Sequence, residues 1–128
     1  MTNYEIAALY IGLNVLLMAF LKMNAGRVRA GQKVDFGEGG NDAMARAMRV
    51  QGNAVEDVPI TLLGLVGLAM VSAPNVLLHV FGAGLTASRV LHAIGLGGGS
   101  LAPRFVGTLG SLLCLLGTAV CCIYFALT

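Results

Sequence analysis

The stretch Arg46-Ala47-Met48-Arg49-Val50-Gln51-Gly52-Asn53-Ala54-Val55-Glu56-Asp57-Val58-Pro59 sets charged and amide side chains directly against an apolar run that begins at Val58. From Pro59 to Ser72 the chain offers only fourteen residues, about 21 Å as a helix, too short to cross a bilayer core of about 30 Å. The spanning helix must therefore begin upstream and carry the polar residues to the membrane border. Charge at that border costs free energy unless it has a partner or a use. On a helix advancing about 100° per residue, Arg49, Asn53 and Glu56 fall at i, i+4 and i+7, inside a stripe about 60° wide. One face thus presents a cation, an amide and a carboxylate together. Such a set suits a small zwitterionic ligand, because each of its poles finds an opposite partner. Pro59 removes one backbone donor from the same helix and is expected to bend it beside the polar face.

The composition extends this reading to the whole chain. Of 128 residues, 57% are hydrophobic and only 11% charged, with a mean hydropathy of +0.84, against roughly 45–50% apolar and about 25% charged in soluble domains. This is the composition of a membrane protein. A formal net charge of +2 is too small and too scattered for nucleic-acid binding. Cys114, Cys121 and Cys122 all lie in the last apolar run without metal-ligand spacing to a histidine. They read as small buried hydrophobes rather than a metal, redox or disulfide set. No basic region precedes the first apolar run and no convincing cleavage site follows it, so that segment is expected to remain as a span.

Outward from the opening stretch, four spans are expected at about 4–22, 46–72, 76–96 and 104–127, in a single domain covering 1–128. The fold class is all-α, an integral membrane four-helix bundle. Asn14, inside the first span, is expected to face another helix, because an amide turned to lipid lacks a partner. Lys22 to Asn41 reads as a polar connector, the one long loop, and Asn41 or Asp42 as the cap of the following helix. Four of the eight basic residues lie in that connector. The positive-inside rule then places it in the cytoplasm and both termini on the non-cytoplasmic side. In the third span Arg89 and His92 stand at i and i+3, on one face, pointing to a shared polar site with a partner such as Glu56. Gly97-Gly98-Gly99-Ser100 has no strand before it and no lysine after it, which excludes a phosphate-binding loop. Arg104, at the mouth of the fourth span, is read equally well as an interface residue whose charge snorkels to water or as a functional cation.

Arg46, Arg49, Asn53, Glu56 and Pro59 together resemble the second-helix signature of the MAPEG family, the membrane-associated proteins of eicosanoid and glutathione metabolism. Arg89-Val90-Leu91-His92 is similar to the Arg-x-x-His of its prostaglandin E synthase and microsomal glutathione transferase branch, and Pro103-Arg104 matches the start of its last helix. The resemblance covers the length, the four spans and the first connector. It implies a homotrimer with glutathione held at each subunit interface near the cytosolic face, in a multi-pass protein of the bacterial inner membrane. Residues corresponding to Arg49, Gln51, Asn53 and Glu56 would hold glutathione, helped by His92 and Arg89. Arg27 or Arg29 would reach its carboxylates. Arg104 would be the thiol-activating cation, since a positive charge near sulfur favours the thiolate.

Two departures bear on activity. The eicosanoid enzymes carry a tyrosine where this chain has Leu96, and the leukotriene synthase has a tyrosine where this chain has Asp57. Three functions follow for comparison. The first is a glutathione transferase or peroxidase acting on a hydrophobic electrophile or lipid hydroperoxide that arrives through membrane lipid. The second is a non-catalytic glutathione- or lipid-binding protein. The third, a small channel or transporter, is disfavoured by the absence of a repeat and by a polar cluster confined to one side of the membrane.

Overall fold

The apolar runs and their breaks become four α-helices, α1 (Asn3–Gln32), α2 (Asp42–Met70), α3 (Asn75–Gly97) and α4 (Leu101–Leu127). The computed structural model describes residues 1–128, the surroundings of Gly97 excepted. All four helices are long and apolar enough to cross a membrane.

Local chemistry fixes the ends. Thr2 and Glu5 form a reciprocal capping box at the start of α1, and the Asn41 side chain accepts from the Met44 amide to start α2. Helices α1, α2 and α3 close in one way. A residue with positive φ, namely Lys33, Ser72 or Gly99, follows the last turn, and the next amide bonds back five residues. Pro103 lies in the first turn of α4, where its missing N–H is one the helix leaves unpaired in any case.

One expectation is corrected. The connector foreseen from Lys22 to Asn41 is helical as far as Gln32, so α1 has 30 residues and the true loop is short. The reason is packing: Ala25 and Val28 lie against Met44, Ala47 and Val34, which gives this polar extension a small apolar seam with α2. The α2 helix likewise opens at Asp42 and α4 at Leu101, ahead of the spans expected there.

Helices α2 and α3 form the centre of the bundle. Each packs on both α1 and α4, whereas α1 and α4 share no contact among the described residues. At the end carrying the termini the core is built from Ile6, Tyr10, Leu65, Leu68 and Leu78; farther along, Leu21, Val50, Val58, Leu85 and Cys114 continue it. Asn14 is fully buried and turns to α3, its Nδ2 donating to Tyr10 O at 2.9 Å and to Thr86 Oγ1 at 2.8 Å. Outward-facing Leu109, Leu113, Leu116 and Val120 leave α4 with a broad apolar face suited to lipid or a neighbouring subunit.

Candidate functional site

The polar residues of α2 stand on either side of one ridge. Met48, Gly52 and Glu56 form it, and a groove lies along each flank. The first groove, of about 510 Å³, is lined by Arg46, Arg49, Asn53 and Glu56 of α2, by Leu96 of α3, and by Glu38 of the loop. The second, of about 550 Å³, is lined by Lys22 and Arg29 of α1 with Gln51, Val55 and Glu56 of α2. Helical spacing explains the split. Arg49, Asn53 and Glu56 share a stripe, and Gln51 lies well to one side of it. Glu56 lines both grooves.

A third, smaller cleft of about 190 Å³ lies beside the first and contains Arg46, Leu96, Ser100 and Arg104. Arg46 and Leu96 line both, so the cleft holding Arg104 adjoins the groove holding Arg49, Asn53 and Glu56. Close backbone approach brings α4 there. A Cβ on Gly95 would stand 2.3 Å from the Arg104 amide nitrogen, and one on Gly107 would stand 2.5 Å from both His92 N and Ser88 O. Only glycine permits these crossings.

The expected partners of the groove residues separate into two groups. Asn53 Nδ2 lies 3.1 Å from His92 Nε2; the amide nitrogen can only donate, so Nε2 accepts and a neutral imidazole carries its proton on Nδ1. Arg89 is 2% exposed and lines neither groove. Its Nη1 lies 3.5 Å from Asp57 Oδ2, and its Nη2 donates to Gly107 O at 3.4 Å. The partner of Arg89 is therefore Asp57, not Glu56, and this is the one ion pair among the described residues. Arg89 Nε and Nη1 have no hydrogen-bond acceptor among the described residues.

The two candidate basic residues of α1 also part company. Arg27 is exposed, donates to Asn24 Oδ1 at 2.9 Å, and lines neither groove. Arg29 lines the second groove, but its Nη1 donates to Gly37 O at 2.9 Å and Val34 O at 3.3 Å, so it also shapes the loop. Lys22 and Glu38 line grooves that sequence reasoning did not assign to them. No helical spacing connects either to α2; only the fold of the α1–α2 hairpin brings them there.

Chemically, the first groove pairs two guanidinium groups with an amide and two carboxylates. It can take a flexible molecule with both anionic and cationic ends, and a third arginine waits beside it. The MAPEG family model matches residues 7–124 of the chain. The chain is 33% identical over 90 residues to the inner membrane protein YecN of Escherichia coli strain K12, spanning 70% of this chain and 69% of that protein. The YecN protein of Escherichia coli O6:H1 matches equally, 33% over 90 residues. No solved structure matches significantly.

Proposed function

Because the chain belongs to the MAPEG family, we propose that it is a glutathione-dependent transferase or peroxidase of the bacterial inner membrane, acting on a hydrophobic electrophile or lipid hydroperoxide. Family membership and four membrane-length helices make it a membrane protein of glutathione-related type. The observation that carries the finer reading is the adjacency of the two polar spaces. A tripeptide lying along Arg49, Asn53 and Glu56 would lie beside the cleft that contains Arg104, which adjoins the groove at Arg46 and Leu96.

In this reading Arg46 and Arg49 take carboxylates of glutathione, Asn53 a peptide group, and Glu56 the ammonium. Arg104 holds the sulfur as thiolate, because its charge favours the deprotonated form over the thiol. The thiolate pair then forms a bond to the electrophilic atom while the bond to the leaving group breaks and its electron pair departs with that group. At a hydroperoxide the attacked atom is the terminal oxygen, the lipid alkoxide leaves and takes a proton from water, and a second glutathione reduces the sulfenic acid to the disulfide and water. The hydrophobic partner arrives along the lipid-facing sides of the helices.

A homotrimer completes the arrangement. The ridge and its flanks expose Arg49 and Glu56 among Met48, Val55, Ile60 and Leu63, a mixture suited neither to lipid nor to water. In a ring of copies, the Arg49 side of one ridge meets the Lys22 and Arg29 side of the next, and one ligand touches both. Leu96 favours a second reading, a non-catalytic binding protein, since it lines the junction of groove and cleft with no hydroxyl to offer.

The deciding experiment titrates thiolate absorbance against pH with saturating glutathione, alongside glutathione-dependent turnover of a generic aromatic electrophile. The enzyme reading expects thiolate well below the free thiol pKa near 8.5, with Arg104→Ala losing thiolate and turnover but retaining ligand. Wild-type protein that binds glutathione without forming thiolate below pH 8 supports the binding protein instead.

A further inference from the structure

Arg89 is the one buried Lys, Arg, Asp or Glu side chain among the described residues and Asp57 is its ion-pair partner, yet neither lines the groove or the cleft of the candidate site. A buried guanidinium in a membrane helix costs too much to be kept without a role. Its contacts name three helices. Through Nη1 it meets Asp57, the residue directly after Glu56 on α2; through Nη2 it reaches the Gly107 carbonyl on α4, and α3 carries it. Gly107 lies three residues beyond Arg104. Thr108 Oγ1, in the same turn, donates to the Arg104 carbonyl at 3.0 Å.

Beyond its packing on α3, the start of α4 has few directed contacts. Ser100 at its N-cap makes no side-chain capping bond, and the turn before it contains Gly98 and Gly99. Close packing at Gly95 and Gly107 sets the distance between α3 and α4. Packing between smooth helix surfaces leaves sliding and rotation along the contact less restrained than a directed hydrogen bond does. Arg89 supplies that direction on the α4 side through the Nη2 hydrogen bond to Gly107 O, while Nη1 of the same planar group forms the ion pair with Asp57.

We propose that Arg89 and Asp57 are positioning residues: their pair ties the ligand-bearing turn of α2 to the first turns of α4 and so sets Arg104 against the sulfur of the bound ligand. This rests on the reading of Arg104 as the thiolate-holding cation. It removes Arg89 from the ligand-binding set and gives Asp57, which stands where the leukotriene synthase has a tyrosine, a task of its own.

The test is Arg89→Lys, which keeps a cation for Asp57 but lacks a fork that can also reach Gly107. In detergent-purified protein, calorimetry gives the glutathione Kd and ultraviolet titration gives the pKa of the bound thiol. The expected result is a Kd within about twofold of wild type and a thiol pKa raised by about one unit, a tenfold loss of thiolate at neutral pH, since one unit is a factor of ten. kcat falls with it and KM for glutathione holds. The double variant Asp57→Leu with Arg89→Met removes both charges without leaving either unpaired, and is expected to show the same split. It supplies the measurement if Arg89→Lys does not fold. A weakened Kd with an unchanged thiol pKa would make Arg89 a ligand contact, and no change in either would make the pair purely structural; both results overturn the proposal. Wild-type protein that forms no thiolate overturns the underlying reading instead, and is seen before any variant is made.

Discussion

Glu56 is the one charged side chain shared by both grooves, and its contribution can be isolated by an isosteric change. Glu56→Gln keeps the shape and removes the charge. A charge-assisted bond contributes about 1.5–3 kcal/mol, so the glutathione Kd is expected to rise roughly tenfold or more in calorimetry. An unchanged Kd would place the ligand's ammonium elsewhere, with Glu38, the other carboxylate lining the first groove, the next to test. At this scale the stripe of Arg49, Asn53 and Glu56 was legible, because the pitch of one helix is enough to align it. The pairing of Arg89 with Asp57 was not. Adjacent residues on a helix point about 100° apart, and which of Glu56 and Asp57 meets α3 depends on how two helices are rotated against each other. Arg29 shows the same limit: nothing in its spacing reveals that it bonds the carbonyls of Val34 and Gly37.

Among the elements, the contact of α3 with α4 is the one most dependent on missing atoms. Gly107→Ala forces a methyl group against the His92 amide and the Ser88 carbonyl, backbone atoms that cannot rotate away. The expected loss is about 1–3 kcal/mol, as for other overpacked sites, read as a lower thermal midpoint in detergent. Gly12→Ala is the control: a Cβ there meets nothing within 4 Å, and alanine is the better helix former by up to about 1 kcal/mol. A similar midpoint for the two variants would mean that α3 and α4 are not pressed together at Gly107. Helix existence was readable from the apolar runs, but the length of α1 was not. Hydropathy ends at Lys22 because the surroundings become polar, while the helix continues to Gln32 because Ala25 and Val28 still have α2 to pack on.

For the whole molecule the expected assembly is a homotrimer, since the ridge that carries Glu56 and the Arg49 beside it are exposed and a single bundle leaves them uncovered. Light scattering with detergent correction checks this, and a monomer that still binds glutathione would show that one chain suffices. The expected orientation has the α1–α2 loop on the cytoplasmic side, because Lys22, Arg27, Arg29 and Lys33 gather toward it. Cysteines introduced at Gly39 and Asn75 should react with impermeant reagents from opposite faces; labelling of both from one face contradicts the orientation. Four-helix architecture could be read from the apolar runs and their breaks, whereas the split of the polar residues into two grooves could not, because it depends on what α1 and the loop bring to either side of α2. The unequal lengths of the helices have a last consequence. At 30 and 29 residues, α1 and α2 outreach the 23 residues of α3, by roughly 10 Å at 1.5 Å per residue. With α3 spanning the bilayer, the polar hairpin would reach into water while its flanks stay in hydrocarbon, and the proposed reaction at its base would join reactants counted in two different solvents. One would follow its concentration in water and the other its mole fraction in the bilayer, so added lipid is expected to dilute the second and leave the first untouched.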